Sequence, residues 1–102
     1  MKIANREAHH YSSLTVEFQG HNLIGTWINP DWYVVYSYGN HWPVWAFDRV
    51  KDIWYENVSK YSVTTSKHKT QSNPGVMRYT QVDVNELKFI LEAWYANIKQ
   101  TA

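Results

Sequence analysis

The chain of 102 residues has no cysteine. Disulfides, thiolate nucleophiles and cysteine-based zinc sites are therefore excluded, while the redox character of the compartment is left open. The opening stretch MKIANREAHHYSS lacks the apolar run of a signal peptide, and no segment approaches membrane-spanning length. These two absences predict a soluble, cytoplasmic protein that does not enter a membrane. Excess charge is also lacking. The net charge is +1 with histidine neutral, so the totals do not suggest the counterion-driven, non-specific nucleic-acid binding of a polycation. His9, His10, His21, His41 and His68 show no H-x-x-x-H spacing and no neighbouring carboxylate cluster, so neither a metal nor a cofactor is expected. No internal repeat and no low-complexity tract is present.

Aromatic side chains, by contrast, are abundant. Six Trp, eight Tyr and three Phe bring the aromatic share to 17% within an apolar share of 44%. A single domain spanning 1–102 has a core of modest size, and this is more aromatic surface than it needs. The surplus is expected to line a groove, a pocket or a subunit interface, the last implying a homodimer or higher homo-oligomer.

The patterning predicts an α+β fold: an antiparallel β-meander of five to six strands, a short helix near 62–71, and a C-terminal amphipathic helix packed on one face. SLTVEF places Leu14, Val16 and Phe18 on one side of a first strand. NLIGTWI makes a second, with Gly25 as a bulge or a point of close approach. NPD at 29–31 signals a turn into WYVVYSY, the most β-prone run in the chain. A turn at 39–41, longer than a two-residue hairpin, leads to WPVWAFD, where Pro43 implies an edge position or a bend. IWYEN is a fifth strand and VMRYTQV a sixth, after an NPG turn. Strands three and four carry aromatics on both faces, so either both faces are covered or one is a binding surface. Asp83 and Glu86 open the last helix, and Val84, Leu87, Leu91, Trp94 and Ile98 form its apolar stripe over 84–100. Phe89 and Tyr95 fall off that stripe.

Electrostatically, the feature that stands out is a window without acids. Between Asn57 and Val82 there is no Asp or Glu, yet Lys60, Lys67, Lys69, Arg78 and His68 all fall there. At its centre, KYSVTTSKHKTQ sets five Ser or Thr hydroxyls and three lysines around one histidine. Hydroxyls, the backbone N–H groups of a helix start and lysine charges suit phosphate oxygens. Thr64, Thr65, Ser66, Lys67 and His68 are the expected phosphate-binding residues, with Tyr36, Trp54 or Tyr61 stacking on a base. A Ser or Thr nucleophile would need an orienting acid. None is near in sequence, although Asp48 or Glu56 can approach in space. Binding without turnover is therefore the expectation, and no catalytic residue is assigned.

The strings VYSYGNHWPVWAFD and WYENVSKYSVTTSKH resemble a pattern in small, mostly uncharacterised proteins of bacteriophages and prophages. In that pattern a YSYG hairpin and a W-Y-x-N strand precede a KYS-x-TTS-K/R-H segment. The resemblance spans roughly residues 34 to 71. It implies a phage accessory protein in the host cytoplasm that counters host defence, by binding a host effector or by sequestering a nucleotide-derived immune signal; the hydroxyl-and-lysine segment favours the second. Two other readings stay open: inhibition of a host defence protein through an aromatic surface, and single-stranded nucleic-acid binding by stacking and scattered lysines. The near-neutral charge makes nucleic acid the weaker of the two.

Overall fold

The β-branched and aromatic runs between residues 23 and 57 build the centre of a six-stranded sheet in the order β1-β2-β3-β4-β5-β6. The structure, a computed structural model, describes residues 2–39 and 42–101, with the side chains of its last helix described through 92. The strands are β1 (Phe18–Gln19), β2 (Leu23–Asn29), β3 (Trp32–Ser37), β4 (Trp42–Asp48), β5 (Ile53–Asn57) and β6 (Thr80–Val82). Among the described residues three α-helices, α1 (Ala8–Ser13), α2 (Val63–Gln71) and α3 (Val84–Thr101), complete an α+β fold. The NPD turn forms because Asn29 Oδ1 accepts from the backbone N–H groups of Asp31 and Trp32, an Asx-type turn. Asp48 caps the turn between β4 and β5 in the same way, through the N–H groups of Val50 and Lys51.

Both faces of the sheet are covered, which explains aromatics on both sides of β3 and β4. On one face Leu23, Tyr33, Val35, Trp45 and Trp54 pack with Phe18 and Ala8. On the other, Trp32, Val34, Ala46 and Val82 meet Leu87 and Leu91 of α3. Asp83 Oδ1 accepts from the Glu86 N–H at 2.8 Å and starts that helix, and Ser59 Oγ accepts from the Val84 N–H. Of the expected apolar stripe, Leu87 and Leu91 are buried and Val84 is half-buried. The side chains of Trp94, Tyr95 and Ile98 lie outside the described residues.

The first strand differs from the sequence expectation. Only Phe18 and Gln19 pair with β2, and residues 8–13 are helical. Leu14 is 72% exposed, so the alternation in SLTVEF does not define a strand face. Thr15 turns the chain at φ 51°. The Trp27 indole N–H and the Tyr33 hydroxyl then donate to the carbonyls of Thr15 and Val16, taking the place of a sheet ladder. Gly25 is a point of close approach: a Cβ there would collide with the Phe18 ring and the Tyr33 hydroxyl. Pro43 lies on an interior strand, and the bend it requires appears as a register shift between Val35 and Tyr36, consistent with an extra residue in β4. Residues 38–41 join β3 to β4, with Tyr38 and Gly39 at positive φ; Asn40 and His41 lie outside the described residues. Last, β6 runs parallel to β5, because α2 carries the chain back to the same end of the sheet.

Candidate functional site

The polar segment singled out in the sequence becomes α2, and its side chains divide into three faces. Ser62 caps the helix, its Oγ accepting from the Thr65 N–H at 3.0 Å. Thr65 and His68 point inward and are 3% and 4% exposed. Ser37 Oγ lies 2.7 Å from His68 Nδ1 and 3.3 Å from Thr65 Oγ1. At the far end Ser72 Oγ donates to the His68 carbonyl, Ser12 Oγ donates to the Ser72 carbonyl, and the Trp45 indole donates to the Lys69 carbonyl. The carbonyls that a helix leaves unpaired at its C-terminus are thus met by α1 and β4. Thr65 and His68 thus form a hydrogen-bonded seam under the helix.

Burial lowers the His68 pKa, with His21 and Lys67 adding to the shift, so the imidazole is held neutral. Thr64 and Lys67 lie on the opposite, exposed face of α2.

The third face borders a cleft of about 200 Å³ between α2, the start of β4 and the chain leaving β5. Ser66 and Thr70, one helical turn apart, line it with Thr65, Lys69, Lys60 and Trp42. The Trp42 ring packs against Tyr61, centroids 5.0 Å apart, and Tyr61 stays 66% exposed. Lys69 Nζ donates to Glu56 Oε2 at 3.0 Å and to the Asn57 carbonyl. Burial alone would raise the Glu56 pKa. Hydrogen bonds from Gln81 and Lys69, with the Lys69 charge, outweigh it and lower the value. The carboxylate is therefore satisfied, and Lys60 is exposed with no ion pair among the described residues.

Of the residues expected from sequence to bind a ligand, Thr65, Ser66 and Tyr61 are at or beside this cleft. His68 lies behind it, and Thr64 and Lys67 point away. Tyr36 is half-buried on the α3 face, and Trp54 is buried in the core on the α2 side. The structure does not bring these last two to the segment. Lys60, Trp42, Lys69 and Thr70 are cleft residues that the sequence reading did not assign; the i, i+4 spacing of Ser66 and Thr70 was the available signal.

Among the described residues no cluster of three or more His, Asp or Glu is placed to hold a metal, and no helix is long and apolar enough to cross a membrane. No protein family, curated protein or solved structure matches the chain.

Proposed function

We propose that the protein binds, without turnover, a phosphate-bearing small ligand of nucleotide type at the cleft beside α2. The observation that carries this reading is the convergence of Lys60, Ser66 and Thr70 on one cleft next to the exposed Tyr61 ring. Lysine supplies charge, the hydroxyls supply directional donors, and the neighbouring acid is already occupied by Lys69 and Gln81. At about 200 Å³ the cleft is smaller than the roughly 300–1,000 Å³ that encloses a whole small-molecule ligand. It would take the phosphate and leave the base to stack on Tyr61. In the setting that the resemblance to phage proteins implies, the ligand is a nucleotide-derived immune signal, sequestered in the host cytoplasm.

A second reading is inhibition of a partner protein through the same end of the molecule. Tyr61 and Val63, 66% and 89% exposed beside the cleft, favour it. Calorimetric titration and thermal shift with a panel of linear and cyclic nucleotides test the first reading. Binding is expected to weaken by about tenfold or more in Lys60→Ala and to change little in Lys67→Ala. A panel without any thermal shift overturns it, and length-dependent binding of single-stranded oligonucleotides with steep salt dependence replaces it.

A further inference from the structure

A larger groove, of about 700 Å³, opens at the other end of the strands, where β4 leaves the sheet and β5 and β6 enter it. Its volume falls in the range of small-molecule sites, roughly 300–1,000 Å³. Phe47, Trp54 and Tyr79 line it, and the rings of Phe47 and Trp54 are 5.1 Å apart. Two charged side chains of opposite sign, Arg78 and Asp52, lie on its walls. Both are exposed, and neither enters an ion pair among the described residues. The Thr80 side adds a hydroxyl.

We infer that this groove is a second binding site, for a planar aromatic anion that carries an N–H on its ring edge. The aromatic lining removes the ring of the ligand from water and meets it edge or face. The Arg78 guanidinium offers a planar fork of donors that matches a carboxylate or a phosphate. Asp52 accepts only, so it favours a ring with an N–H donor and opposes a second negative charge on its side. An aromatic cation would satisfy Asp52 but meet Arg78, and a neutral arene would leave both charges unused. The site shares no residue with the cleft beside α2 and stands whether or not that cleft binds phosphate.

The test is an NMR chemical-shift titration of the full chain, following the Trp54 indole N–H and the Arg78 signals. The probes are indole-3-acetate, 1-naphthaleneacetate, which lacks the N–H, and tryptamine, which reverses the charge. Indole-3-acetate is expected to shift both signals saturably, with 1-naphthaleneacetate several-fold weaker and tryptamine weaker by about tenfold or more. Arg78→Gln should weaken indole-3-acetate by about tenfold, and Asp52→Asn should remove its advantage over 1-naphthaleneacetate. Asn tolerates the positive φ of 56° at position 52 as well as Asp does, so the comparison is made in a folded protein. The absence of saturable shifts into the millimolar range overturns the proposal. So does equal binding of tryptamine, or an Arg78→Gln protein that binds like wild type. Equal binding of 1-naphthaleneacetate overturns the role given to Asp52.

Discussion

Ser37 Oγ and His68 Nδ1 share a 2.7 Å hydrogen bond where the two residues are 0% and 4% exposed. This bond joins β3 to α2 in a seam that also holds Thr65, with the Tyr38 ring beside the imidazole, centroids 5.8 Å apart. Ser37→Ala removes the partner of a buried imidazole and one neighbour of Thr65, so it is expected to cost about 1–3 kcal/mol in urea unfolding. Thr64→Ala, one position from Thr65 on the solvent side, should change stability by no more than about 0.5 kcal/mol. Equal losses in the two variants would mean that α2 is rotated from this placement.

The same burial fixes a pH dependence. The folded-state pKa of His68 lies below its ordinary value of 6.5, chiefly through desolvation and then through His21 and Lys67. Below 6.5 the unfolded chain takes up a proton that the folded chain resists, so the unfolded state gains. The contribution of His68 is therefore whole above pH 6.5 and is lost as pH falls from there toward the folded-state pKa. Denaturation midpoints measured between pH 7.5 and 5 should decline, and His68→Gln should flatten that part of the decline. A midpoint of the wild type that rises on acidification would contradict a buried neutral imidazole.

How far this architecture was legible depended on whether burial was apolar. The β-prone run WYVVYSY announced β3, IWYEN announced β5, and Asp83 with Glu86 announced α3, because strand propensity and capping report directly on local backbone geometry. SLTVEF misled because alternation is also produced by a turn whose carbonyls are bound by Trp27 and Tyr33, distant residues that a local pattern does not contain. The short helix near 62–71 was legible in outline, but not which of its faces is buried. Thr65, His68 and Ser72 follow helical spacing, yet they are polar, and a reading based on apolar periodicity treats them as solvent-facing. The site residues Lys60 and Trp42 come from either side of the β4–β5 pairing, so only the folded sheet brings them to Ser66 and Thr70.

Gly25 gives a test of packing at the β1–β2 pair. The Phe18 ring and the Tyr33 hydroxyl occupy the space a Cβ would need, and Tyr33 is held there by its bond to the Val16 carbonyl at 2.8 Å. Gly25→Ala is expected to destabilise by about 1–3 kcal/mol through overpacking. Chemical shifts should change at Tyr33 and Val16 together. A neutral Gly25→Ala protein would show that Phe18 can move away at no cost, and that β1 is not fixed by this contact.

The strongest test of the layer order is on α3. Leu87 is fully buried against Val82, Ala46 and Trp32, whereas Phe89, two residues on, is 71% exposed. A difference of two positions rotates a helical side chain to nearly the opposite side, so one helix carries both the test and its control. Leu87→Ala should lose the transfer free energy of the side chain and leave a cavity between helix and sheet, costing about 2–5 kcal/mol. Phe89→Ala removes a larger side chain but takes little from the interior, so its effect should stay within about 0.5 kcal/mol. Urea unfolding of the two variants settles the placement: a larger loss in Phe89→Ala than in Leu87→Ala would require α3 to present its other face to the sheet.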